Sequence, residues 1–318
     1  MTRHDVATAR RLKIVVSITL ALTASACATS RPSGSSQPTT PTAPAAAAGA
    51  AAASAAAPAR KMATSPDGTK IAYDMTGTGP FLIMLHGGGY TARGWADREY
   101  VTKLKDRFTL ITPDERGTGD SDKPKTLADY GLDKMIADVL AVADAAGATK
   151  FHLWGFGHGA TIARYIAARS DRVVSAVLVS ADFGPPLSGI IKDAVTGMRA
   201  KWQPMVDAQA AGTLDLAKMS ASDRAAWDNG VAVSAMALGA MLDYPPLEPA
   251  EIKAPTLWLI GAGDTSAMEN VKAYEGKLQG TQVTLKTIPG ATYTDTFGKA
   301  DLTINEAVPF LTAHPPPS

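Results

Sequence analysis

The chain has 318 residues and a formal charge of +1, but its two ends differ so much that whole-length averages mislead. Setting aside the +3 of residues 1–26 and the +2 of Arg31 and Arg60 leaves −4 on residues 61–318. With no Lys/Arg cluster there, the electrostatic footprint that a phosphate backbone demands is missing, and nucleic acid is not expected as a partner. One cysteine, Cys27, excludes an internal disulfide. No metal-ligand spacing occurs, so neither a metal nor a cofactor is expected.

Arg10, Arg11 and Lys13 precede a short apolar run, Ile14 to Leu22, followed by Ala24-Ser25-Ala26. This is the pattern of a removable signal peptide over residues 1–26. The next residue, Cys27, stands where a bacterial lipoprotein carries its lipidated cysteine, and the stretch resembles a lipobox. Export, with a lipid anchor in the membrane at the periplasmic face or cell surface, is the expectation. Residues 28–60 contain 14 Ala, 5 Pro, 5 Ser and 4 Thr, so residues 27–60 read as a lipidated Cys followed by a flexible tether. No later stretch approaches the roughly 18 to 20 apolar residues of a spanning helix.

From Lys61 short β-type runs alternate with helical ones. Lys61–Thr64 and Lys70–Met75 flank Pro66-Asp67-Gly68, a hairpin signal. Phe81–Leu85, Phe108–Pro113, Phe151–Trp154, Val173–Ser180, Thr256–Ile260 and Val283–Ile288 are mostly apolar, as in strands buried on both faces. Between them Ala96–Lys105, Leu132–Ala146, His158–Arg169 and Ser266–Leu278 read as helices. The alternation predicts an α/β fold, a mostly parallel sheet flanked by helices and opened by an antiparallel hairpin. Residues 183–250 break the pattern, with helical pieces at Asp193–Gln203 and Ser222–Leu242 before Pro245-Pro246, and predict a helical cap over the core of residues 61–182 and 251–313.

Three landmarks occur in order. His86-Gly87-Gly88-Gly89 follows one strand, Asp114 to Ser121 (DERGTGDS) follows the next, and Gly155-Phe156-Gly157-His158-Gly159 links a strand to a helix. Together with Gly261-Ala262-Gly263-Asp264 and Pro289-Gly290-Ala291, they resemble the α/β-hydrolase superfamily over residues 61–312. The likeness is to the branch with proline iminopeptidases, epoxide hydrolases and carbon–carbon-bond hydrolases. That resemblance implies a G-x-S-x-G nucleophile elbow, an acid and a later histidine.

In this sequence the elbow's serine position is Gly157, the acid position is matched by Asp264, and Tyr293 stands where the histidine belongs. None of the five histidines, His4, His86, His152, His158 and His314, lies in the loop after the last strand. Glycine has no nucleophile and tyrosine, with an ordinary pKa of about 10, is a poor base. The resemblance also implies oxyanion donors in the backbone N–H groups of Gly88 and His158, with His86 and Gly87 of the same turn as further ligand-binding residues. The pocket would then bind a small molecule through a carbonyl or carboxylate, and Tyr293 could hydrogen-bond Asp264. The expected function is a non-catalytic binding or sensing protein. One alternative is a hydrolase with displaced groups, such as Asp264 with Tyr293 or His158 activating water. Another is a dinucleotide site, because Gly155-x-Gly157-x-x-Ala160 with Asp182 resembles that fingerprint. Arg116 is expected to fix the loop after the fourth strand together with Asp114.

Overall fold

The computed structural model describes residues 60–317; the expected signal peptide, Cys27 and the tether up to residue 59 lie outside the described residues. The strands are β1 (Lys61–Thr64), β2 (Lys70–Thr76), β3 (Phe81–Leu85), β4 (Thr109–Pro113), β5 (Phe151–Phe156), β6 (Val173–Val179), β7 (Thr256–Gly261) and β8 (Val283–Ile288). They form one sheet in the order β1-β2-β4-β3-β5-β6-β7-β8. β2 is antiparallel to β1 and β4, and all other neighbours run parallel. The expected fold class is thus found, its strands within a residue or two of the predicted runs.

Alternation along each strand sorts the core into two layers. Ile83 and Leu85 of β3 enter one apolar cluster, while Leu82 and Met84 enter the other. The helices α1 (Arg93–Asp97) and α2 (Tyr100–Leu104) serve the second cluster, whereas α3 (Leu132–Ala145) and α4 (His158–Arg169) serve the first. From His158 to Ala168 every residue of α4 is buried, and only its last residue, Arg169, reaches solvent.

Two helices expected to be continuous are each split. Over residues 96–105 the chain is interrupted at Glu99, which adopts φ +66°. Trp95 and Tyr100 would point about 140° apart on one continuous helix, yet both enter the same aromatic core with ring centroids 4.9 Å apart. The run from residue 222 breaks at Gly230, φ +75°, into α6 (Ala221–Asp228) and α7 (Val231–Ala240). With α5 (Gly189–Ala210) these helices make up the segment between β6 and β7.

That segment leaves and returns through a closed neck. Gly184 and Leu247 exchange backbone hydrogen bonds of 2.8 and 3.0 Å. Beneath them the fully buried Arg164 donates to the Asp182 carbonyl and to Tyr165 Oη, and Tyr165 Oη donates to the Pro245 carbonyl. The C-terminal part supplies α8 (Thr265–Tyr274), α9 (Asp295–Gly298) and α10 (Ala300–Thr312).

Arg60, the last residue assigned to the tether, is docked on the domain. Its guanidinium pairs with Asp114, whose side chain is 1% exposed, and with Asp74 and Asp120. Burial opposes ionisation of Asp114, but the N–H groups of Asp120 and Ala92 and the Arg60 charge outweigh it and hold the carboxyl below its ordinary range. Arg60→Ala leaves that buried carboxylate short of its cation and is expected to cost about 1–3 kcal/mol in denaturant unfolding. Asp114 and Arg116 do stabilise the loop, but not through each other: Arg116 instead grips Asp138 through two bonds of 2.6 Å and reaches Asp67 at 2.9 Å.

Candidate active site

The site lies at the C-terminal ends of the parallel strands. Gly157, between β5 and α4, has φ +52° and ψ −113°, a backbone state that costs a residue with a Cβ on the order of 1–3 kcal/mol. The chain is locked there, because Gly157 N–H donates to Val179 O at 2.9 Å and Gly159 N–H to His86 O at 3.0 Å. Gly155 is explained by packing: a Cβ there would lie 2.4 Å from the Ala160 Cα. The glycines that resembled a dinucleotide fingerprint are therefore required by the strand-to-helix contact itself.

Tyr293 fills the place above this turn. A Cβ built on Gly157 would lie 2.3 Å from the Tyr293 hydroxyl, a distance at which one of the two groups must move. The ring packs on Phe156 at 4.9 Å between centroids, and Phe156 stacks on Phe297 at 4.5 Å. Although 39% of the residue is exposed, desolvation around its hydroxyl, with Tyr90 and Asp264 nearby, pushes the phenol above its ordinary range. Its proton is thereby held more tightly than that of a free tyrosine.

The expected Tyr293–Asp264 hydrogen bond is not formed. Asp264 caps α8 instead, accepting from Ala267 N–H at 3.1 Å. His86 is fully buried and has no nitrogen left for a ligand: Nε2 accepts from Glu115 N–H at 3.1 Å, which leaves Nδ1 to donate to Gly87 O at 3.0 Å. Gly87 presses on Phe156, since a Cβ there would meet its ring at 2.7 Å. Both shape the turn rather than contact a ligand.

Gly88 and His158 do come together. A Cβ placed on Gly88 would be 3.7 Å from the His158 Cβ, and 2.9 Å from Leu238 Cδ2 on α7, which covers the turn. Among the described residues neither the Gly88 nor the His158 backbone N–H has an acceptor. The two donors anticipated for an oxyanion are thus both unengaged, under an apolar lid.

His158 also carries a partner that the sequence did not reveal. Its Nδ1 is 2.6 Å from Glu115 Oε2, and the side chains are 4% and 6% exposed. Burial alone would raise the Glu115 carboxyl, but the charge and hydrogen bond of His158 outweigh it and hold it below its ordinary range. Burial would likewise depress His158, yet Glu115 holds it above. The sign of each shift sets the pH window. The His158 contribution is full below its unfolded value of 6.5 and lost as pH rises through the raised folded one. The Glu115 contribution is full above 4.5 and lost as pH falls through the lowered one. Glu115→Gln should therefore destabilise by about 1–3 kcal/mol between those values, with the gap to wild type closing on either side in thermal melts across pH.

The comparisons with known proteins agree with the fold. A sequence model of the alpha/beta hydrolase fold matches residues 80–240. The chain belongs to that family. It is 33% identical over 121 residues to epoxide hydrolase 3 of Siraitia grosvenorii, covering 37% of this chain and 38% of that one. To the non-heme chloroperoxidase of Streptomyces lividans it is 38% identical over 124 residues, covering 37% and 43%. The matches thus span about two-fifths of the length of these curated relatives. A solved structure described as one of the novel epoxide hydrolases from metagenomes of hot environments superposes with a TM-score of 0.61 at 23% identity, covering 80% of this chain and 99% of that one. That likeness shows the fold.

Within this α/β-hydrolase fold, no cluster of three metal-ligating side chains occurs among the described residues, and no described helix is long and apolar enough to cross a membrane. A cavity of about 170 Å³ lies elsewhere, between the 123–125 loop and the helices Gly189–Ala210, α6 and α7, walled by Val206, Trp227, Val233 and Met236. Glu115 and Leu238 are the site residues that sequence reasoning missed. Glu115 stands inside the DERGTGDS landmark, where it looked like one more loop charge. Leu238 is one of several apolar residues on α7, and nothing local marks it as the one facing Gly88.

Proposed function

We propose that this protein is an exported, lipid-anchored member of the α/β-hydrolase fold family that binds or senses a small molecule instead of turning it over. The observation that carries the reading is the Tyr293 hydroxyl standing where a side chain at Gly157 would have to go. The nucleophile and the base are replaced by two residues that fit each other sterically and lack the chemistry of serine and histidine. What remains is the pair of free N–H groups at Gly88 and His158, suited to a carbonyl or carboxylate oxygen. Export and the anchor rest on the residue pattern around Cys27. Palmitate labelling in a bacterial host, with Cys27→Ala as the control, tests that part: a label on wild type that the variant loses supports it, and an unlabelled wild type refutes it.

The binding reading is tested by offering activated esters, amides and epoxides to the full-length chain, with Asp264→Asn alongside. No rate above buffer is expected. A saturable wild-type rate lost in the Asp264 variant would overturn it.

A second reading has its own observation. The imidazole of His158, with Nδ1 on a carboxylate and Nε2 unpartnered, has the form of a general base. If it activates water, turnover is present in wild type, unaffected by Tyr293→Phe and abolished by His158→Phe.

A further inference from the structure

The cavity between the 123–125 loop and the helices α5, α6 and α7 has a ligand chemistry of its own. It measures about 170 Å³, and none of Gly88, Gly157, His158 or Tyr293 lines it. Its walls are apolar, whereas its polar lining is of one kind: Lys123, Lys125 and Gln209 contribute, and no carboxylate does. Both lysines are exposed, so the cavity reaches solvent on their side. Lys125 makes neither a side-chain hydrogen bond nor an ion pair among the described residues. Lys123 holds the Gly119 and Ser121 carbonyls at 2.6 and 3.1 Å, bonds that leave its charge without a counterion and one of its three N–H groups free. The acids nearby in sequence are engaged elsewhere, Asp120 with Arg60, Asp122 with the Lys70 N–H and Asp207 with the Gln203 amide.

Size, walls and charge together define an occupant. An apolar cavity of about 150 Å³ admits benzene, so this one takes a single ring and not a long acyl chain. Among its walls Trp227 offers an aromatic surface and Met236 a polarizable thioether, both favourable neighbours for a ring. The lysines at the exposed side select what that ring carries. A cation would be repelled, and a neutral amide would gain the packing without the charge-assisted hydrogen bonds that an ammonium makes to a carboxylate. We infer that this cavity binds a single-ring monocarboxylate, its ring against the apolar walls and its carboxylate at Lys123 and Lys125. The inference stands apart from the reading of the Gly157 turn, because turnover at that turn would leave the cavity and its lysines unchanged.

The test is calorimetric titration of the full-length chain with benzoate and benzamide, which share a ring and differ in charge. Benzoate should bind at least about 10-fold tighter than benzamide, and Lys123→Glu/Lys125→Glu should weaken benzoate at least about 10-fold. Should that double variant not fold, Lys125→Glu alone, which breaks no contact, is expected to weaken benzoate at least about 3-fold. Lys272→Glu removes the same charge from an exposed position on α8 that does not line the cavity, and should leave benzoate binding unchanged. Benzamide binding as tightly as benzoate, no binding of benzoate, or an equal loss in Lys272→Glu overturns the inference. Benzoate binding that survives the lysine reversals also overturns it, and would move the carboxylate to the Gly88 and His158 N–H groups, leaving the binding reading in place.

Discussion

Gly157→Ala is expected to lower stability by about 2–6 kcal/mol, and Tyr293→Phe to relieve the steric part of that loss. Two costs add in the single variant. A Cβ at φ +52° carries backbone strain on the order of 1–3 kcal/mol. Its position 2.3 Å from the Tyr293 hydroxyl adds overpacking, typically about 1–3 kcal/mol. Removing the hydroxyl leaves the ring carbon Cζ as the next neighbour, at 3.4 Å, which is tolerable contact. Only the backbone term then remains. A double-mutant cycle by denaturant unfolding should show a coupling of about 1–2 kcal/mol, and strict additivity would mean that the two positions do not share one volume.

The second large effect concerns chemistry. Gly157→Ser alone is expected to show no rate above wild type, because the incoming side chain meets Tyr293 in place of an imidazole. Tyr293→His alone supplies a base with nothing to activate. The Gly157→Ser/Tyr293→His protein should hydrolyse p-nitrophenyl butyrate at least about 10²-fold faster than wild type, with Asp264 available to orient the new imidazole once it is drawn from its cap on α8. Such non-additivity is the signature of groups that act as a unit. Equal rates in wild type, both single variants and the double variant would show that these two positions alone do not restore a working triad.

The sheet, its antiparallel opening and the order of the turns were legible because the strands are short, mostly apolar runs separated by glycine-containing turns, a local pattern. The absence of a side chain at Gly157 was equally visible. What replaced it was not, because Tyr293 lies 136 positions along the chain and only the fold brings its hydroxyl to the elbow. The breaks at Glu99 and Gly230 escaped notice for a related reason: the Trp95–Tyr100 contact that the first permits is a tertiary demand, and Gly230 alone was too weak a signal against the helical run around it. The Glu115–His158 pair joins two landmarks that had been interpreted separately. Neither residue is unusual in its own segment, and their meaning comes from a 2.6 Å contact inside an apolar surround.

The claim at the centre of this account is that Tyr293 occupies the elbow and that no nucleophile is presented there. Intact-mass spectrometry after incubation with a fluorophosphonate tests it most directly, on the wild-type chain and on Gly157→Ser/Tyr293→His. The expected result is an unmodified wild type and a single adduct on the double variant at position 157. A stoichiometric adduct on wild type, mapping to the segment around Gly157 or Tyr293, would contradict it.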